Sequence, residues 1–571
     1  MEPLESGASD SVKLVSDFME ESELYLESRE KQLGFKPQKE IPFTKLLPYS
    51  KNLDDESQVM LKDIKANLGR CVMLKELRPG CLTWSYRLLK YIQMFGMKFS
   101  KEDHITFIKL MYELLTIPRL EPNLISRFVT CLTWLLKKKE LISREELILP
   151  WRTIYNICDL LMCSSKSSSM YRYSSYLENS LSELLVAARV YFEPTATQEM
   201  LELWRPRLCP LHYVDMQVAL ELLESFLPTI FLPHETGQGY ELWLNEFLDL
   251  WQTCHNSPSW EPSIMSLMSR VASHNVGKID WEPHMALMYT RILRSFSLPV
   301  NYKKMKINKF HKLSTTAVTV WIVSTLGGGS SSQKHLDQMM NVLESYFHPA
   351  NAGTWVSRLK EFFKKLTYYF VQRVYIERYR KPSWLPQIPE KARLTDDDIT
   401  RFVESTAPAV CLSMYSRVAT EVSLSLQHLA CLRPALVIPS IIDSMYNTLD
   451  SLTEPHKYTA AMLSLVSVAK PLVESNDYKA GPTHIIPLLI AVLPGIDPND
   501  IRKCFITLQV ITTFTSMIPI VDSSGASEYW KDLTEEEEVV CAATSQLEDF
   551  VLEFLDRCFS LVDNSVLEST R

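Results

Sequence analysis

The sequence predicts an all-α fold, a solenoid built by stacking helical hairpins into an α-α superhelix. Three observations carry that expectation. Glycine is scarce, 15 in 571 residues, less than half of the roughly 7% found in average proteins, which disfavours glycine-turned sheets, dinucleotide-binding domains and phosphate loops. Apolar spacing is helical: in "WVSRLKEFFKKLTYYF", Trp355, Leu359, Phe362, Phe363, Leu366 and Phe370 fall on one face. Proline recurs in register: "RPALVIPSII" at 433–442 and "GPTHIIPLLI" at 481–490 set Pro434 and Pro439 each 48 residues before Pro482 and Pro487. Proline suits the first turn of a helix, where its missing N–H has no partner to lose. A helical hairpin repeating about every 40–50 residues is the signature of HEAT-type solenoids.

Each element follows from local signals. Residues 1–36 are acidic and serine-containing, and are expected to form a disordered N-terminal tail, although "VKLVSDFMEESELYLES" has the spacing of a short amphipathic helix. A first helical-repeat region spans 37–325, with helices expected around 55–75, 82–95, 101–116, 122–138, 144–162, 176–192, 196–208, 212–227, 239–254, 262–274 and 282–296. The serine-rich "CSSKSSSMYRYSS" at 163–175 reads as an exposed loop. "WEPSIMSLMSR" from Trp260 and "WEPHMALMYTR" from Trp281 repeat at an offset of 21 residues, about half a hairpin, with Arg270 and Arg291 aligned. Both tryptophans are expected to be core wedges beside a proline-started helix. A boundary is placed at the glycine-rich "LGGGSSSQK", and a second repeat region spans 326–571. Within it, Glu454 and Asp497 precede Pro455 and Pro498 and are expected to cap helix starts; Thr395 is an N-cap, and Thr534 with Glu537 a capping box.

Composition limits function. The chain has 60 basic and 68 acidic residues, a net charge of −8, so direct nucleic-acid binding is not expected. No apolar run approaches a membrane-spanning length and "MEPLESGASD" lacks a signal-peptide core, so no membrane partner is expected. The twelve cysteines include no C-x-x-C pair, which suits reduced thiols in the cytosol or nucleus. No catalytic and no metal-binding constellation is found. "GGGSSSQK" fails the phosphate-loop spacing and reads as a flexible loop, "TDDDIT" at 395–400 lacks the ligands of a calcium loop, and the adjacent Cys254 and His255 point in different directions on a helix. The chain is therefore expected not to be an enzyme. Two basic groups remain as candidate contacts for a polyanion, an acidic partner or an import receptor. One is Lys303, Lys304, Lys306, Lys309 and Lys312; the other is Arg373, Arg378, Arg380 and Lys381. No cofactor is expected, with an inositol polyphosphate at the lysine group the one ligand considered.

Several long stretches carry a resemblance: "LGRCVMLKELRPGCLTW", "KFSKEDHITFIKLMYELL", "LLKKKELISREELILPWR", "IDWEPHMALMYTRILRSFSLPV", "IERYRKPSWLP" and "PALVIPSIIDSMYNTLDSLTEPHKYTA". From about Phe35 to Arg571 the chain resembles the proteasome activator complex subunit 4 family, large single-chain HEAT-repeat proteins. The resemblance implies an amino-terminal portion of such a protein, with 326–571 the start of its middle HEAT-repeat region. It implies a cap on the α-ring of the 20S core particle that promotes ubiquitin- and ATP-independent degradation. It also implies links with acetylated core histones, DNA repair and sperm development, and residence in nucleus and cytosol. The family's penultimate-tyrosine anchor and histone-reading module have no counterpart here, since the chain ends "VLESTR". Residues 1–571 alone are accordingly expected not to stimulate the core particle, and no family site residue transfers onto them. The residues without the resemblance suggest a second reading, a generic HEAT scaffold or transport adaptor that grips partners on its concave face. On either reading, Phe550, Leu552, Phe554, Leu555 and Phe559 expect a further repeat to cover them.

Overall fold

The structure is a computed structural model that describes residues 50–137, 141–164, 171–231, 235–254, 260–296, 298, 313–346, 355–379, 387–414, 419–450 and 455–569. Among these the only strand-like pairing is an isolated bridge between Leu149 and Phe192; the rest is helix and turn, an all-α helical-repeat fold. By contact the chain divides into two compact units, Met1–Trp243 and Leu244–Arg571. The glycine-rich turn at 326–331, where the sequence suggests a boundary, lies inside the second unit.

The first unit contains α1 (Ser50–Met73), α2 (Leu82–Phe95), α3 (Lys101–Leu115), α4 (Pro122–Leu136), α5 (Trp151–Ser164), α6 (Tyr171–Ala188), α7 (Ala196–Trp204) and α8 (Tyr213–Phe226). The expected helix over 144–162 begins only at Trp151, because 145–150 are occupied by a turn and by the bridge at Leu149. Start signals act locally: the Ser100 hydroxyl accepts the Asp103 amide at 3.2 Å, and Pro122 opens α4. α2, α4 and α6 pack side by side in one layer, while α1 backs α2, α3 backs α4 and α5 backs α6. Each hairpin thus closes on itself and on the next, the stacking that defines a helical-repeat array.

The second unit begins with α9 (Leu244–Thr253), α10 (Glu261–His274), α11 (Met285–Ser295), α12 (Thr315–Thr325), α13 (Ser332–Glu344) and α14 (Trp355–Tyr379). It continues through α15 (Asp396–Ser413), α16 (Ala419–Leu432), α17 (Pro434–Asp450), α18 (Pro455–Glu474), α19 (Ile485–Val492) and α20 (Ile501–Thr515). It closes with α21 (Ala526–Tyr529), α22 (Glu535–Ala543) and α23 (Leu547–Ser569). One layer runs α10–α12–α14–α16–α18–α20 and the other α11–α13–α15–α17. The first proline of each registered pair marks a helix start, Pro434 opening α17 and Pro482 lying in the tight turn Gly481–His484 that leads into α19, while Pro439 and Pro487 lie inside those helices. Asp497 does not cap α20. Its side chain accepts the Asn499 amide at 2.9 Å in a turn, and Asp500 caps the helix instead by accepting the Lys503 amide at 3.0 Å. Glu454 lies outside the described residues. Thr395 with Asp398, and Thr534 with Glu537, form complete capping boxes.

Trp260 and Trp281 are buried as expected. The two W-E-P motifs then diverge in use. Glu261 accepts the Trp251 indole N–H at 3.3 Å and faces Arg291 at 3.8 Å. Glu282 reaches across to accept the Ser331 amide at 2.8 Å, while Trp281 meets the Trp321 ring edge-on at 5.7 Å.

Candidate interaction surfaces

Among the described residues no group of three or more His, Cys, Asp or Glu side chains is placed to hold a metal ion, and no helix is long and apolar enough to cross a membrane. "GGGSSSQK" is a packed turn. Gly327, Gly328 and Gly329 all have positive φ, and a Cβ on Gly328 would stand 2.9 Å from the Lys391 carbonyl oxygen. Its Ser331 amide, which an anion would need, already serves Glu282. His255 lies outside the described residues, so the Cys254–His255 pair has no geometry here.

The five lysines Lys303, Lys304, Lys306, Lys309 and Lys312 lie outside the described residues, as do Arg380 and Lys381. The other half of the second basic group is corrected by the structure. Arg373 is buried and committed to the fold: it pairs with Glu377 at 2.7 Å, with side chains 7% and 4% exposed. It also donates to the carbonyls of Val323, of Leu326 at 2.9 Å and of Ala392 at 2.8 Å. A guanidinium so used offers nothing to a partner. Arg378 pairs with Asp396 at 2.9 Å, a carboxylate shared with Arg433 at 2.8 Å. Hydrogen bonds from those two guanidinium groups hold the Asp396 carboxyl below the usual range.

Two surfaces stand out from the described residues. On α14, Tyr368, Tyr375 and Tyr379 lie along one exposed stripe with Ile376 beside them. Gln372 donates to the Tyr368 hydroxyl at 2.6 Å, the rings of Tyr375 and Tyr379 stand 5.6 Å apart, and Tyr368 rests on His428 of α16 at 5.7 Å. Exposed tyrosine on a rigid helix is the composition of a protein-binding hot spot. His428 is held neutral by burial and by the Lys364 cation, and Thr367 Oγ1 lies 3.1 Å from its Nδ1.

The other surface lies on α2 and α4 in the first unit. Arg87 sits over Trp84 at 4.5 Å, Lys90 and Arg127 flank the Tyr86 ring at 5.6 and 5.0 Å, and Lys137 sits over Trp134 at 4.7 Å. No local run of basic residues announces it, because its members are separated by up to fifty positions and meet only when α2 packs on α4. The available signal is the absence of any Asp or Glu from both helices. At the other end of the chain, Phe550 is buried, Phe554 is half-buried, and Leu552, Leu555 and Phe559 are 60%, 44% and 68% exposed.

Residues 336–571 match the family described as "Proteasome activator complex subunit 4, mid HEAT repeats region". The chain is 45% identical over 551 residues to "Proteasome activator complex subunit 4" of Xenopus laevis, covering 95% of this chain and 30% of that protein. It is 44% identical over 544 residues to the Homo sapiens protein of the same name, covering 94% and 30%. To "Proteasome activator subunit 4" of Arabidopsis thaliana it is 24% identical over 506 residues, covering 81% and 27%. The chain thus spans about 30% of the length of the animal relatives it matches.

Proposed function

Because the chain belongs to the proteasome activator complex subunit 4 family along 95% of its length, we propose that it is part of a proteasome-activating cap. The cap binds the α-ring of the 20S core particle and promotes ubiquitin- and ATP-independent degradation, including that of acetylated core histones in DNA repair and sperm development, in nucleus and cytosol. Acetylated histones are engaged by regions outside this chain. The observation that carries the reading is the 45% identity over 551 residues to a relative named as a proteasome activator. The repeat architecture supports it, because stacked hairpins build extended surfaces and bring no catalytic centre of their own; the chain's part is that of a non-catalytic regulator.

The test uses the complete protein that contains this chain. Mixed with purified 20S particle without ATP, it should shift the particle on a native gel and accelerate hydrolysis of a fluorogenic peptide. No shift and no acceleration would discard the reading and leave the generic scaffold. Within the same proposal, the lysines at 303–312 form a contact for a polyanion. Changing all five to glutamine should weaken binding of inositol hexakisphosphate and flatten its salt dependence. Unchanged affinity and slope would return them to a solvated surface.

A further inference from the structure

We propose that the α2/α4 face of the first unit is a docking strip for an acidic polypeptide segment. This inference stands on that unit alone and is independent of the proteasome reading.

Charge is segregated between these two helices and the two behind them. α2 and α4 carry no Asp or Glu, while α1 and α3 behind them carry Asp54, Asp55, Glu56, Asp63, Glu102, Asp103 and Glu113. Behind the face, Lys65 of α1 pairs with Asp103 at 2.7 Å and Lys101 of α3 with Glu146 at 2.5 Å, and Lys98, in the turn before α3, pairs with Asp54 at 2.7 Å. Arg87, Lys90, Arg127 and Lys137 have no carboxylate partner among the described residues. In a chain of net charge −8, four cations left without counter-charge on one face form a local reversal of sign.

The aromatic rings fix where those cations sit. Each is held over an indole or phenol face, and Tyr86 takes two of them, one from each helix. Two like charges beside one ring repel each other, and a carboxylate arriving between them relieves that repulsion. Trp84, Tyr86 and Trp134 are half-buried or exposed, so apolar side chains of a bound segment find purchase between the charges.

Spacing selects the ligand class. A compact phosphate cluster needs cations that converge on one point. Here Arg127 of α4 and Lys137, just past its end, are ten residues apart, about 15 Å along the helix axis, and the four cations are spread over three rings, only Lys90 and Arg127 sharing one. An extended chain rising about 3.3 Å per residue presents carboxylates over that length at every second or fourth position. An acidic strand or loop of a partner protein fits this geometry; a single polyphosphate does not.

The experiment titrates the 571-residue chain into a fluorescein-labelled, glutamate-rich peptide of about ten residues, read by anisotropy at low and high salt. A glutamine peptide of equal length is the control. The parent should bind the glutamate peptide with a steep salt dependence. The variant Arg87→Gln, Lys90→Gln, Arg127→Gln, Lys137→Gln should bind about tenfold or more weakly, with a flatter slope. Arg87→Lys with Arg127→Lys keeps the charges and should retain binding. The single changes Lys90→Gln and Lys137→Gln, both at exposed sites, should each weaken it, which keeps the test decisive if the fourfold variant misfolds. Equal binding by the charge-removed variants would overturn the proposal. So would complete displacement of the peptide by inositol hexakisphosphate, or by single-stranded RNA, at concentrations below those of the peptide itself.

Discussion

Replacing Arg373 with Met is the most demanding perturbation the structure suggests. The side chain is similar in length, so packing is largely kept and the loss is electrostatic. Glu377 is left as a carboxylate 4% exposed, accepting, among the described residues, only the Leu394 amide at 2.8 Å. Removing one member of a buried ion pair costs about 3–5 kcal/mol. The carbonyls of Val323, Leu326 and Ala392 also lose their donor, and an unmet buried acceptor adds about 1–3 kcal/mol. The expected loss is therefore at least about 3 kcal/mol. The double variant Arg373→Met, Glu377→Leu removes the stranded charge but leaves the carbonyls, and now also the Leu394 amide, without partners, so it should recover only part of the loss. Guanidinium denaturation followed by far-ultraviolet circular dichroism reads the stability. Hydrogen exchange should localise the change to peptides over 323–331 and 389–394. A single variant within about 1 kcal/mol of the parent, or a double variant no better than the single, would refute the assignment of Arg373 as the clasp of α12, α14 and the 389–394 turn.

Three further outcomes follow from single positions. Trp281→Ala should cost about 3–5 kcal/mol, since the ring is buried against Trp321; a loss below about 1 kcal/mol in denaturation would place it at the surface. Gly328→Ala should destabilise more than Gly329→Ala: both have positive φ, worth about 1–2 kcal/mol each, but only Gly328 would press a Cβ onto the Lys391 carbonyl. Equal melting temperatures for the two would contradict the close approach. His104 is buried with Nε2 2.8 Å from the Leu135 carbonyl oxygen, and burial lowers its pKa. The unfolded chain then binds a proton that the folded chain refuses, so stability falls as pH drops through about 6.5. His104→Gln should shrink that fall, and an unaltered pH profile would refute it.

Much of this fold is legible in the sequence. Capping boxes at Thr395 and Thr534, proline starts at Pro434 and Pro455, and the tryptophans of the W-E-P motifs are set by residues within a turn of one another. Local signals failed where two of them compete within a turn, where a helix has no polar face, or where partners lie far apart in sequence. Pro498 looks like a helix start, yet Asp500 supplies the better cap and delays α20 by a few residues. No helix is expected at 315–325, because α12 is buried on nearly every side and so lacks the polar face that makes periodicity visible. Arg373 reads as surface charge beside Arg378 until α12 and the 389–394 turn close over it. The α2/α4 strip needs two hairpins to assemble before its four cations become neighbours.

α12 also bears on how this chain is made. Its sequence "TTAVTVWIVST" is β-branched at eight of eleven positions and uncharged, the composition of an aggregation-prone strand. Its helical state is imposed by α10 on one side and α14 on the other. α10 precedes it on the ribosome, but α14 is complete only at Tyr379, 54 residues after Thr325. At about 5–20 residues per second that interval lasts roughly 3–11 s, far longer than collapse or hairpin formation, about microseconds. During it the nascent chain displays an uncharged, strand-favouring segment with one wall of its cradle missing. Translation of residues 325–379 is therefore the interval in which this protein most needs a chaperone, and synonymous changes that slow it should lower the soluble yield without altering the finished molecule.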